Sequence, residues 1–204
     1  MHKTPQEKFW AEEFGDDYIS RNESASLMAS KTAMFADILA KTRDVNSAVE
    51  FGCNIGMNLA AISRLRPGID IHAIEINAKA AELCGKRFPE GDITHGSIFD
   101  YTPEKPCELA FTCGVMIHLN PEMLPKTYEK LAAASSKYVL IAEYYNTSPV
   151  AIPYRGHDDR LFKRDFAREF MESHPEYSLV AYNFVYRHDP MFPDDDITWF
   201  LMEK

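Results

Sequence analysis

Two acids bracket a glycine-bearing loop in this sequence. Glu50 stands two residues before Gly52 in Val49-Glu50-Phe51-Gly52-Cys53-Asn54-Ile55-Gly56-Met57-Asn58, and Glu75 closes a second apolar run, Ile69 to Ile74. Glycine admits positive φ and lets a ligand approach the backbone, and the start of a following helix offers unpaired N–H groups. A carboxylate about 20–25 residues beyond such a loop is where a doubly wound fold holds a ribose by its free hydroxyls. It would repel a 2′-phosphate, which speaks against an NADP-type ligand. Glu50 adds a second constraint: an acid just before the first glycine repels a pyrophosphate and suits a cationic ligand. Gly-x-x-x-Gly alone fits an ordinary strand-to-helix turn equally well, so the spacing to Glu75 carries the reading.

Other candidates sit where later apolar runs end. In an open α/β sheet the carboxyl ends of the strands face the ligand crevice, which puts Thr112, Cys113 and Gly114 beside a cofactor. His118 follows in the same loop; it is either structural or, with its near-neutral pKa, a general base. Glu143-Tyr144-Tyr145-Asn146 places a carboxylate, two phenols and an amide at the end of the run from Tyr138 to Ala142, as a substrate site or as satisfied edge polarity. Thr147 to Lys163 has little periodicity, and a connection of this length in a compact domain is functional or disordered. Its proline, aromatic and mixed-charge content suggests order; residues 145–163 are expected to form a substrate loop containing Tyr154 and His157. Arg155, Arg160 and Lys163 could bind a carboxylate or phosphate there, or form an exposed salt-bridged surface. Asp194, Asp195 and Asp196 read as a solvated run, and no metal site is expected.

The elements needed to position these groups are legible as alternating strand and helix patterns. A covering helix spans Ser24 to Thr42, with Asn22 or Ser24 as N-cap. Strands follow at Ala48–Phe51, Ile69–Ile74, Asp92 onward, Cys107 onward and Tyr138–Ala142, with helices at about Ala78–Phe88, Pro121–Ser135 and Phe162–Met171. Leu179–Tyr186 and Ile197–Met202 are joined too closely for a crossover helix, so they pair antiparallel. Ahead of all this, Phe9, Trp10, Phe14 and Tyr18 share a helical face interrupted at Gly15. That segment is either a helix packed on the core or a lid over the site.

At 204 residues, 46% apolar and 12% aromatic, the chain can bury one core, and residues 1–204 read as one domain. Thirty-one acidic against twenty-two basic residues give a formal charge of −9, which argues against nucleic-acid or anionic-membrane binding. No stretch approaches about 18 uninterrupted apolar residues and the N-terminus lacks a signal-like core, so a cytoplasmic protein is expected. Cys53, Cys84, Cys107 and Cys113 form no Cys-x-x-Cys pair, which favours reduced thiols over disulfides or zinc.

Glu50-x-Gly52-x-Asn54-x-Gly56 resembles the first motif of the class I S-adenosylmethionine-dependent methyltransferases, with Asn54 replacing the middle glycine. Asn is among the residues most tolerant of left-handed backbone. The resemblance covers about residues 24 to 204. It implies a Rossmann-like α/β fold with seven strands in the order 3-2-1-4-5-7-6, strand 7 antiparallel, and helices on both faces. S-adenosylmethionine would be the cofactor and S-adenosylhomocysteine the product. Gly52, Cys53, Asn54, Gly56 and Asn58 would line its loop, Glu75 and Ile76 its ribose, and Ser97 and Ile98 its adenine, although Ser97 and Ile98 also suit a plain surface turn. Residues 1–22 would be the lid, with Tyr18 and Arg21 as contacts.

More narrowly, Phe9-Trp10-x-x-x-Phe14-Gly15-x-x-Tyr18, Gly114-Val-Met-Ile-His-Leu-Asn-Pro121, Ile141-Ala-Glu-Tyr-Tyr-Asn146, Ile152-Pro-Tyr-Arg-Gly-His157 and Asp195-Asp-Ile-Thr-Trp-Phe200 look like the methylases associated with pseudaminic acid biosynthesis. That resemblance implies methyl transfer to O or N of a small molecule such as a sugar, nucleotide sugar or surface-polysaccharide metabolite. His118, Glu143, Tyr145 and His157 are then the catalytic candidates, and Tyr18, Arg21, Tyr144, Asn146, Tyr154, Arg155 and Arg160 the acceptor contacts. Two rivals remain at this stage, a non-catalytic methyltransferase-like subunit that binds a partner and an NAD-dependent oxidoreductase on the same sheet.

Overall fold

The computed structural model describes residues 2–19 and 24–204. Its centre is a sheet of β1 (Ser47–Phe51), β2 (Asp70–Glu75), β3 (Asp92–His95), β4 (Cys107–Cys113), β5 (Ser135–Glu143), β8 (Ser178–Val185) and β9 (Ile197–Glu203), arranged β3-β2-β1-β4-β5-β9-β8. The first five strands run parallel, and β9 runs antiparallel to both β5 and β8. This is the expected seven-stranded order. The two short strands β6 (Val150–Ala151) and β7 (Phe162–Lys163) form a separate ribbon.

Helices cover both faces because the central strands are apolar on both. Successive side chains on a strand point to opposite faces. Val49, Ala110, Val139 and Ile141 thus bury against α6 (Leu124–Ala134) and α7 (Phe166–Ser173), with Leu131 and Phe170 among their partners. Ala48, Leu109, Phe111 and Leu140 bury on the other side against α3 (Ala25–Leu39) and α4 (Met57–Leu65), through Phe35, Ile38, Leu59 and Ile62. The fifth covering helix, α5 (Ala78–Arg87), is capped by Asn77, whose side chain accepts from Ala80 N. Ser24 caps α3 by accepting from Leu27 N.

Three expectations change. The N-terminal aromatic segment is two helices, α1 (Pro5–Ala11) and α2 (Glu13–Ile19), and the break is at Glu12, whose φ of −105° and ψ of −153° are extended. Gly15 instead lies within α2, where a Cβ would run into the Trp10 carbonyl and stand 2.8 Å from Asn77 Nδ2. The last long helix starts at Phe166, not Phe162, because residues 162–163 pair with 150–151 and Asp165 supplies the cap to Arg168 N. The helix expected from Pro121 opens with a 3-10 turn, Pro121–Met123, before α6.

Candidate active site

Local backbone geometry builds the first wall. Gly52, Asn54 and Gly56 have φ of 76°, 48° and 77°, so the left-handed tolerance of asparagine is used at Asn54. Glu75 fastens this loop: Oε2 accepts from Asn54 N at 2.7 Å and Oε1 from Asn77 N at 2.8 Å. Burial nevertheless pushes its carboxyl above the ordinary range. The loop leads into α4, whose first turn faces the same space.

That space is a cavity of about 780 Å³, within the range of small-molecule sites. Gly52, Cys53, Asn54, Asn58, Glu75, Ile76, Ile98, Cys113, Gly114, His118, Tyr18, Tyr144, Tyr154 and Arg155 all line it. Residues separated by more than a hundred positions thus meet around one volume.

Glu50 is not on the wall but is completely buried next to it. Asn58, which is on the wall, donates Nδ2 to Glu50 Oε1 at 2.6 Å. This orients the amide and leaves Asn58 Oδ1, Asn54 Oδ1 and Glu50 Oε2 as buried acceptors with no protein donor. Burial raises the Glu50 carboxyl well above its usual range. Asn54 Oδ1 and Asn58 Oδ1, both on residues of the cavity wall beside a helix start, fit a ligand that brings its own N–H groups.

Lys31 and Asp194 form a wall that the sequence reading overlooked. Lys31 Nζ lies 3.0 Å from Asp194 Oδ2 and 3.7 Å from Cys113 Sγ, with side-chain exposures of 13% for Lys31 and 5% for Asp194. Against a large burial penalty, Asp194 holds Lys31 protonated, and burial pushes the Cys113 thiol up to about 12. Asp194 is therefore not solvated, contrary to expectation. Lys31 had a signal, being a single cation on the buried stripe of α3 with Leu27, Phe35 and Ile38. Asp194 had none, since three consecutive aspartates look alike before the connection folds.

The opposite end is aromatic. The Trp10 and His118 rings are 4.6 Å apart, His118 and Tyr154 5.2 Å, and Trp10 and Tyr18 5.3 Å. Trp10 Nε1 and Gln6 Oε1 are buried without protein partners, and both residues face the cavity. His118 Nδ1 lies 2.7 Å from the Arg160 carbonyl oxygen. A carbonyl only accepts, so Nδ1 carries the proton and Nε2 the lone pair. Burial lowers the His118 pKa to about 4, which keeps the ring neutral. Arg155 (φ 49°) and Gly156 (φ 82°) turn a two-residue hairpin closed by Tyr154 and His157. At its tip the Arg155 guanidinium sits 5.7 Å over Phe14 and 5.5 Å over Tyr154.

Several expected site residues lie elsewhere. Glu143 is buried beneath the β4 exit loop, accepting from Val115 N and Met116 N at 3.0 Å and Ile117 N at 3.3 Å, so it anchors that loop and does not face the cavity. Thr112 is fully buried beside it. Tyr145 points to the face opposite Tyr144, 5.8 Å from the Phe200 ring, as strand alternation requires. Ser97 is tied to Glu7 of α1 and donates nothing to the cavity, whereas Glu7, Ile98 and Phe99 line it. His157 is exposed against Phe9, and Asn146 Nδ2 donates to the Ser148 carbonyl at 2.6 Å. Arg160 pairs with Asp159 at 2.5 Å and offers His118 its carbonyl, not its charge. Arg21 lies outside the described residues. Among the described residues no cluster of His, Cys, Asp or Glu could hold a metal, and no helix is long and apolar enough to cross a membrane.

No family model matches the chain, and no curated protein matches it. Solved structures do. The 1,6-didemethyltoxoflavin-N1-methyltransferase of Burkholderia thailandensis, determined with bound 1,6-didemethyltoxoflavin and S-adenosylhomocysteine, is 15% identical with a TM-score of 0.71, covering 97% of this chain and 86% of that one. The mitomycin 7-O-methyltransferase is 13% identical with a TM-score of 0.70; 98% of this chain aligns, but it spans only 61% of that protein. The magnesium protoporphyrin IX methyltransferase of Synechocystis PCC 6803, determined with S-adenosylmethionine, is 10% identical with a TM-score of 0.67 and full coverage of both chains. At such identities the likeness is one of architecture. This chain has the Rossmann-like fold of the class I S-adenosylmethionine-dependent methyltransferases.

Proposed function

We propose that the protein transfers a methyl group from S-adenosylmethionine to an oxygen or nitrogen of a small molecule, leaving S-adenosylhomocysteine. The observation that carries this reading is the pair of buried acceptors Asn54 Oδ1 and Asn58 Oδ1, on residues that line one cavity with Glu75 beside the left-handed loop, with Glu50 buried behind Asn58. Glu75 keeps outer lone pairs for ribose hydroxyls while its inner ones hold the loop. Ile98 and Phe99 offer apolar surface for adenine. Glu50 orients Asn58, whose Oδ1 is available to the ammonium, and Lys31 is the buried cation available to the carboxylate.

When bound, the cofactor supplies a methyl group already activated on a sulfonium. The chain then has to align the acceptor and keep water out, and alignment can lower a barrier by as much as about 7–11 kcal/mol. Trp10, Tyr18 and Tyr154 exclude water. His118 Nε2 accepts from the acceptor's O–H or N–H; with a pKa of about 4 it orients that group and is a poor base for removing its proton in advance. Arg155 has no carboxylate partner among the described residues, and its position on the cavity rim suits an anionic group on the acceptor. That supports, with the resemblance in sequence, a nucleotide sugar or acidic sugar of surface-polysaccharide metabolism. Free cysteines and the absence of a spanning helix among the described residues are compatible with work in the cytoplasm.

Calorimetric titration with S-adenosylmethionine and, separately, NAD tests the core of this reading. Micromolar binding of the first alone is expected. Binding of neither would favour a non-catalytic subunit, and binding of NAD alone would overturn the cofactor. Arg155→Gln should raise the acceptor KM about tenfold or more while sparing cofactor affinity, the scale of one charge-assisted contact.

A further inference from the structure

The two edges of the sheet are built differently. β3 is four residues long and carries Asp92 and His95, which blunt it against other strands. β8 is eight residues long, pairs only with β9, and lies at the other edge. From Tyr177 to Tyr186 the chain has no charge, proline or glycine. Apart from a register shift between Leu179 and Ala181, nothing along this strand discourages pairing. Its large side chains are also uncovered: Tyr182 is 67% exposed, and Leu179, Val180, Phe184 and Tyr186 are 40–51% exposed.

These residues form one continuous surface. Leu179 pairs with Met202 and Tyr182 with Phe200, so the register shift brings Leu179, Tyr182 and Phe184 to the same face. The Tyr182 ring stacks on Phe200 at 6.0 Å, and Phe200 meets Tyr145 at 5.8 Å. Tyr145 is itself 39% exposed. Taking about 200 Å² for a fully exposed side chain of this size, the patch presents on the order of 500 Å² per copy before any backbone is counted. A standard interface needs about 800 Å² per partner, and the unpaired backbone edge of β8 adds to the side-chain area.

We propose that β8 is the interface of a homodimer in which two copies pair edge to edge, antiparallel, into one fourteen-stranded sheet. An edge strand is its own complement under a two-fold axis normal to the sheet. The axis keeps the same face of both copies uppermost, so the Tyr182–Phe184 surfaces join into one aromatic seam. The charges flanking the strand agree: Glu176 precedes it and Arg187 follows it, and antiparallel pairing sets each near the other's counterpart. The active-site cavity is not lined by β8, so the dimer leaves it open.

Light scattering on the eluted protein at micromolar concentration should read twice the 23.3 kDa chain mass. Tyr182→Lys with Phe184→Lys should return the single-chain mass with S-adenosylmethionine affinity unchanged. Hydrogen exchange on the unmodified protein gives a second reading that needs no variant: β8 amides should become protected as concentration rises, and those of β3 should not. A single-chain mass in the unmodified protein, or a dimer whose β8 amides stay unprotected, would overturn the proposal. The mass measurement does not depend on the cofactor, so its failure leaves the methyltransferase reading standing.

Discussion

The spacing of Glu75 in the sequence suggests a ribose ligand, while its contacts in the structure are to the amides of Asn54 and Asn77. Glu75→Ala should therefore weaken S-adenosylmethionine binding by well over tenfold and also destabilise the protein, since each abandoned buried N–H costs about 1–3 kcal/mol. Calorimetry and urea denaturation read the two losses separately, and a near-normal dissociation constant would remove the ribose role. The buried acids also set a pH dependence. Burial raises Glu143 from 4.5 to about 7 despite its three amide donors. Between those values the folded state holds a proton that the unfolded state has released, so stability falls as pH rises, by about 3 kcal/mol over the interval. Glu50 and Glu75 are shifted in the same direction. His118 acts oppositely: lowered from 6.5 to about 4, it costs stability as pH falls through that window. Urea midpoints should decline from about pH 5 to 7, more steeply in His118→Phe, which removes the opposing contribution. A level profile in that variant would mean that Glu143, Glu50 and Glu75 all stay ionised throughout.

Elements matter through the close approaches they impose. A Cβ at Gly56 would stand 2.8 Å from both Cys84 Sγ and Phe88 Cε2, at a φ of 77°. Gly56→Ala should cost about 1–3 kcal/mol from backbone strain alone and abolish measurable cofactor binding, because the loop cannot keep both its turn and its packing on α5. Normal calorimetric affinity in that variant would show that the turn is not needed. The two N-terminal helices work differently, closing the cavity with rings instead of a tight turn. Trp10 touches Phe9, Phe14, Tyr18 and His118. Trp10→Ala should loosen that closure by about 1 kcal/mol per ring contact, raising acceptor KM more than it changes cofactor affinity. Equal losses in both would place the Trp10 contacts over the cofactor instead. Aromatic spacing made this segment visible in the sequence. Whether it covered the core or the site depended on where the chain turned at Glu12.

Across the whole molecule, charge is the quantity that couples ligand to stability. The chain carries a formal −9, and the cavity adds buried acids that resist ionisation. A bound cation next to Glu50 favours its carboxylate form. The increase in melting temperature produced by saturating S-adenosylmethionine should therefore be larger at pH 8 than at pH 6, since a bound cation favours the form of Glu50 that has lost its proton. Scanning calorimetry at the two pH values reads this directly, and a constant shift would separate the ligand from Glu50.

The order of strands, the glycine loop and Glu75 were legible in the sequence because each is a local pattern: apolar runs at strand length, glycine where φ must be positive, and a carboxylate at a fixed distance along a βαβ unit. The same patterns pointed to a terminal antiparallel pair, since the connection from Arg187 to Asp196 is too short for a helix. Other assignments depended on which way a side chain turned once the strands were side by side. Tyr144 and Tyr145 are neighbours in sequence with identical chemistry, and strand alternation sends only the first into the cavity. Glu143 reads as a candidate catalytic base until the β4 exit loop folds over it and takes its oxygens. Asp194 reads as solvent-facing until α3 brings Lys31 to within 3.0 Å. Pattern along the chain determines which elements form, because hydrogen bonding and burial repeat with their periods. Contacts between residues far apart in sequence have no such period, and tertiary structure alone decided which polar groups faced the cavity and which held it in shape.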